Sequence, residues 1–102
     1  MAEIRWTKEA IGWLWDIYQY IAQDNAHAAN EIVENIYIRV EILKRFPESG
    51  YRYNRYPEFH IRVLLYGHYR IAYLISWDRS VDILGVFHSA LDMDRYLFEN
   101  KE

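Results

Sequence analysis

The hydrophobic period of this chain changes once, at Pro47, and that change constrains the fold more than any other feature. Before it, apolar residues recur every three or four positions. Ala10, Leu14, Ile17 and Ile21 make one stripe, and Ala29, Val33, Ile36, Val40 and Leu43 make another. That spacing lines one face of a helix with 3.6 residues per turn. Thr7 stands where an N-cap is needed, and Glu9 falls in the first turn, near the positive end of the helix dipole. Asp24 and Asn25 interrupt the pattern, and a second helix is predicted from about Ala26 to Phe46, with Glu34, Asn35 and Glu41 outward. Pro47 has no amide hydrogen to continue it. Two helices joined by a short polar elbow form an antiparallel hairpin.

After Pro47 the period is two. "PESGYRYNRYPEF" is rich in turn residues and aromatics, which suits a loop or an irregular edge strand. "FHIRVLLY", "YRIAYLISW" and "VDILGVFH" follow, separated by Gly67-His68 and by Asp78-Arg79-Ser80, each short enough for a hairpin. A short strand is also predicted in "AEIRW", where Ile4 and Trp6 alternate with Glu3 and Arg5. The tail "LDMDRYLFENKE" reads as a last helical turn or a frayed end. The expected fold is α+β: an N-terminal strand, then a helical hairpin packed on one face of an antiparallel β-sheet. At 102 residues the whole chain, 1–102, is one domain.

Composition narrows the chemistry. Without cysteine there is neither a disulfide framework nor a thiolate metal site. The N-terminus "MAEIRWTKEA" has no basic region followed by an apolar one, and no window reaches the roughly 18 apolar residues of a spanning helix. A cytoplasmic protein with no membrane association is expected. The formal net charge is -3, but between Lys44 and Ala72 six cations (Lys44, Arg45, Arg52, Arg55, Arg62, Arg70) face only Glu48 and Glu58. Such a segment can present a cationic face to an acidic partner while the acidic remainder keeps the chain soluble.

Four side chains around the Gly67-His68 turn have the chemistry for a site. If those two residues make the turn, Arg62 lies opposite Tyr73 and Leu65 opposite Arg70, so the two arginines leave opposite faces of the hairpin. Arg70 then has a structural alternative to catalysis: its stem covering tyrosine rings and its head meeting a carboxylate. His88 ends an apolar strand in phase with Leu84 and Val86. It is a candidate for proton transfer, a role to which histidine as a residue type is suited by an unperturbed pKa of about 6.5, or an anchor for the turn that follows. His60, His68 and His88 have no close spacing or acidic companion to make a metal site, and no cofactor is expected. On the first helix, Ile11, Trp15 and Tyr18 form a second apolar stripe beside the core one, widened by Trp13 and Tyr20. Such a face suits either a partner chain or cover from the tail.

The order of these segments resembles the RelE/ParE superfamily, the toxin halves of bacterial type II toxin–antitoxin pairs, and most of all its ParE branch. "DIYQYIAQDNAHAANEIVENI" is similar to the family's two helices and elbow, and "LKRFPESG" to the Phe-Pro-x-x-Gly that ends the second helix. "YRIAYLI", "VDILGVFH" and "HSALD" are similar to its tyrosine-arginine-isoleucine strand and its last strand ending in histidine. One departure is Leu91 before Asp92, where many ParE-like chains carry arginine.

The resemblance implies a toxin of a plasmid-stabilisation system, held in a hetero-oligomer by a cognate antitoxin whose extended or helical segment wraps its surface. Ile11, Trp15 and Tyr18 would bind that antitoxin. ParE-like function would be the poisoning of DNA gyrase, needing a binding surface, here Arg52, Arg55 and Arg62, and no catalytic machinery. RelE-like function would be ribosome-dependent mRNA cleavage, for which Arg62, Arg70 and His88 are the available acid, base and cations. A non-toxic binding module on the same scaffold is the third reading. The acidic net charge, the lack of lysine in the sheet and the scattered catalytic candidates favour gyrase.

Overall fold

The structure, a computed structural model, describes residues 1–97. Strand β1 (Ile4–Trp6) leads into helices α1 (Lys8–Ala22) and α2 (Ala26–Val40), and a 3-10 turn (Glu41–Lys44) ends the helical half. Strands β2 (Tyr51–Tyr53), β3 (Ile61–Tyr66), β4 (Tyr69–Ile75) and β5 (Val81–His88) follow, then helix α3 (Met93–Leu97). The last five positions of the predicted tail lie outside the described residues.

Local chemistry sets the helix ends. The Thr7 hydroxyl accepts the Ala10 amide at 3.1 Å and donates to the Ile83 carbonyl at 2.6 Å, so one side chain caps α1 and ties it to β5. Asn25 caps α2 by accepting the Ala28 amide at 3.0 Å. The regular helix stops at Val40, earlier than the apolar period suggests, because the following turn tightens to 3-10 geometry while still burying Leu43.

The sheet has the order β1-β5-β4-β3-β2. Strands β2 to β5 form the antiparallel meander expected from the sequence, and β1 adds to β5 in parallel, so the sheet as a whole is mixed. Gly67 makes the β3–β4 turn at φ 55°, and His68 keeps a negative φ, as in a type II′ turn. The resulting register places Arg62 opposite Tyr73 and Leu65 opposite Arg70.

Two apolar clusters occupy the two sides of the sheet. Ile36, Val40 and Leu43 of the helical half meet Leu64, Ile71, Tyr73, Ile83 and Val86 in one, with Leu14 and Ile17 of α1 packed against it. Val63, Ala72 and Phe87 meet Met93 and Leu97 of α3 in the other. Helix α3 is therefore a cover for the second sheet face.

A β-bulge in β5 corrects the expected phase of Leu84. Ala72 pairs with Gly85, whereas Tyr73 pairs with Ile83, leaving Leu84 without a partner in the ladder. Leu84 consequently joins the α3-side cluster, while Val86 stays with the helical hairpin. Gly85 stands beside the bulge, where a Cβ would crowd the Phe87 ring.

The two halves of the chain are joined by a buried hydroxyl. Tyr73 donates to the Pro47 carbonyl at 2.7 Å and accepts the Gly50 amide at 2.9 Å. Burial raises the pKa of this phenol, so it stays neutral and can do both. Gly50 fits beneath β3 only because it lacks a side chain, as a Cβ would lie 2.6 Å from the Val63 carbonyl oxygen. Tyr73→Phe keeps the ring but leaves the buried Gly50 amide unpaired. We predict a loss of about 1–3 kcal/mol in urea unfolding and a fall in Tm of roughly 4–8 °C per kcal/mol, without change in fold by circular dichroism.

Candidate functional site

Helix α1 presents three different sectors. Ala10 is wholly buried, and Leu14 and Ile17 pack on the hairpin-side core. Trp13 is also a packing residue: its indole meets the rings of Phe87 at 4.8 Å and Tyr96 at 5.4 Å, both edge-on. Cover by the tail thus applies to Trp13. It does not extend to Ile11 and Trp15, which remain 55% and 57% exposed, with Tyr18 stacked on Trp15 at 5.6 Å between ring centroids. Single exposed apolar residues are ordinary, but a contiguous aromatic and aliphatic stripe at i, i+4 and i+7 has the pattern of a binding face.

The arginines of the central segment are largely held by the fold. Arg62 lies beside Tyr73 and opposite Arg52 in the sheet. Its guanidinium donates to the carbonyls of Glu48 and Gly50, and its Nε donates to His60 Nε2 at 3.1 Å. Arg62 and Tyr73 accordingly hold the same Pro47–Gly50 loop. Arg52 reaches the Phe59 carbonyl at 3.4 Å, and Arg55 pairs with Asp94 of α3 at 3.6 Å. Both keep exposed surface.

Arg70 leaves the other sheet face, opposite Leu65 and Phe87. Its head meets the carbonyls of Leu91 and Ser89 instead of the carboxylate expected from the sequence, and so fastens the chain that follows β5. His88 pairs with Tyr69 at the far end of β5, and its Nδ1 accepts the Ala90 amide at 3.1 Å. Arg62 is therefore remote from the other two, whereas Arg70 and His88 fasten the same turn after β5 from opposite faces of the sheet. Arg62 and His88 share the hairpin face at different ends of the strands, and Arg70 is on the reverse. Among the described residues no three His, Cys, Asp or Glu side chains are grouped to hold a metal ion, and no helix is long and apolar enough to cross a membrane.

Residues 4–93 match the family model described as the ParE toxin of the type II toxin–antitoxin system parDE. The chain belongs to the ParE toxin family. It is 40% identical over 86 residues to "Putative toxin Y4kP" of Sinorhizobium fredii, an alignment covering 84% of this chain and 86% of that protein. A solved structure titled "Chromosomal ParDE TA system from P. aeruginosa" shares the fold, with a TM-score of 0.69 at 20% identity, over 86% of this chain and 96% of that one.

In this ParE-family toxin two exposed groups escaped the sequence reading. Ile38, Ile42 and Phe46 form an exposed row along α2 and the turn after it. Their constant spacing of four was the available signal, hidden behind the stronger core stripe on the same helix. Trp77, at the tip of the β4–β5 turn, is 95% exposed, next to Arg79 at φ 72°. A lone tryptophan beside turn residues carries no periodicity to mark it.

The Arg62–His60 contact generates a pH prediction. His60 accepts a hydrogen bond on Nε2, so it is held neutral, and its pKa lies below 6.5, chiefly through burial and then through the charges of Arg52 and Arg62. The unfolded chain binds the proton more readily than the folded one, so stability rises with pH between the lowered folded value and the unfolded one. The contribution is complete above about pH 6.5 and is lost as pH falls through the unfolded value toward the folded one. Thermal melts of the wild type should decline between pH 7 and pH 5, and His60→Gln, which keeps an acceptor for Arg62, should flatten that decline.

Proposed function

We propose that this chain is a growth-inhibiting toxin neutralised by a cognate antitoxin that covers the α1 stripe, and that it acts by binding DNA gyrase. The carrying observation is the exposure of Ile11 and Trp15, with Tyr18 stacked on the latter, on a helix whose core-facing side is already occupied. Burying one such side chain contributes roughly 1.5–3 kcal/mol, which free toxin forgoes and a partner would recover. The solved relative is titled a ParDE system, which supports an antitoxin as that partner.

Gyrase is favoured over message cleavage by the placement of Arg62 at the opposite end of the strands from Arg70 and His88, with Arg70 on the reverse sheet face. In-line attack by a 2′-hydroxyl needs base, acid and phosphate-binding cations around one reacting centre. Binding needs only a complementary surface. Arg52 and Arg55 supply its exposed cations, and Arg62 contributes by shaping the loop beneath them. The target's contact surface is accordingly acidic.

Two outcomes are expected. Trp15→Glu and Tyr18→Glu should weaken binding of the protein encoded by the neighbouring small reading frame by at least about tenfold, with stability unchanged to within roughly 0.5 kcal/mol. A large loss of stability in the isolated variants would mean that the stripe is core. Antitoxin-free protein should inhibit gyrase supercoiling and leave ribosome-bound message intact, with Arg52→Ala and Arg55→Ala weakening inhibition most at low salt. Codon-positioned message cleavage that disappears with His88→Ala, gyrase being untouched, would place the chain with the endonucleases.

A further inference from the structure

On the flank of α1 about 180° from Ile11 lies a cleft of 540 Å³ between the helix and the ends of β4 and β5. Its walls include Trp13, Asp16 and Tyr20 of α1, Tyr69 and His88 of the sheet, and Leu91. The sequence reading took Trp13 and Tyr20 as a widening of the α1 stripe, whereas both line this opposite flank, and of the cleft's lining only His88 figured in an activity considered above.

The lining has the chemistry of a cation receptor. Trp13 is fixed by edge contacts with Phe87 and Tyr96, and the Tyr69 ring stands edge-on to His88 at 5.6 Å. The Tyr69 hydroxyl is pushed above its ordinary pKa by burial and then by the nearby Tyr20, so it stays neutral. Tyr20 itself is 76% exposed at the edge of the cleft. Asp16 stands on the rim with no hydrogen bond or ion pair among the described residues. A carboxylate beside several aromatic faces attracts an ammonium or guanidinium through charge and ring quadrupole together, and the apolar walls accept its methylene stem.

We propose that this cleft receives one lysine or arginine side chain of the antitoxin, a proposal that rests on the antitoxin reading given above. The source follows from continuity: the α1 stripe and the cleft lie on the two flanks of a single helix about 10 Å across, so one chain crossing α1 reaches both. The cleft is then the polar, orienting half of an interface whose apolar half is Ile11, Trp15 and Tyr18.

The test uses the toxin with the product of the neighbouring reading frame, and the toxin alone with Nα-acetylarginine amide as probe. Asp16→Asn and Tyr20→Leu, both at exposed positions, should each weaken the complex about fivefold to tenfold, and Asp16→Asn alone should also reduce the salt dependence of its affinity. The arginine amide should shift the Tyr69 and His88 ring resonances of the wild type, less so those of Asp16→Asn, and Nα-acetylalanine amide should shift neither. Unchanged antitoxin affinity in both variants, with Trp15→Glu still disruptive, would overturn the cleft assignment and leave the antitoxin reading standing. Failure of the wild type to bind the neighbouring product at all would overturn both. Loss of gyrase inhibition in Asp16→Asn with antitoxin affinity intact would transfer the basic residue to the target and contradict the proposal.

Discussion

The fold depends on how the loop after α2 is held against the sheet, and Tyr73 and Arg62 hold it together. These two residues are cross-strand neighbours, and each bonds main-chain groups between Pro47 and Gly50. The loop has to be fixed there because the chain changes from helix to strand within it, exposing carbonyls that neither element can satisfy. Gly50 lets the backbone pass close beneath β3, and Pro47 ends the helical run. The Phe-Pro-Glu-Ser-Gly segment and the Tyr-Arg-Ile-Ala-Tyr strand are thus two parts of one contact, 23 residues apart for the Gly50–Tyr73 bond.

That contact has a consequence for function. An arginine that donates to two carbonyls and a histidine nitrogen has its hydrogen-bonding geometry committed to the fold. Arg70 is committed in the same way on the other face, where it fastens the start of the tail beneath which Phe87 and Met93 are buried. The exposed side chains that no core needs are the α1 stripe, the row on α2, the β4–β5 tip, and Arg52 and Arg55.

The sequence made the architecture legible wherever a period or a cap was at work. Thr7, the two helical stripes, Pro47 and the arginine register across Gly67-His68 are each visible as local patterns, and the structure has them. It was less legible where an outcome depends on two distant segments. The parallel pairing of β1 with β5 joins residues such as Arg5 and Asp82, which no local period relates. The bulge that turns Leu84 to the α3 side was hinted at only by Gly85 within a strand. The burial of Met93 and Leu97 arises because the second sheet face is apolar at Val63, Ala72 and Phe87 and must be covered. For the site, the sequence located the α1 stripe but could not separate Trp13, which packs, from Trp15, which does not. It also could not say that Arg62 and Arg70 bond to carbonyls, since main-chain acceptors are anonymous in a sequence.

The central claim is that α1 is a partner-binding helix with both flanks in use. Hydroxyl-radical footprinting of the chain, free and in complex with the product of the neighbouring reading frame, measures this residue by residue. The account predicts strong protection of Trp15 and Tyr20, on opposite flanks of α1, with Trp77 at the sheet tip unchanged. Protection confined to Trp77 or to the β2–β3 segment, with Trp15 as reactive in the complex as in the free chain, would contradict it.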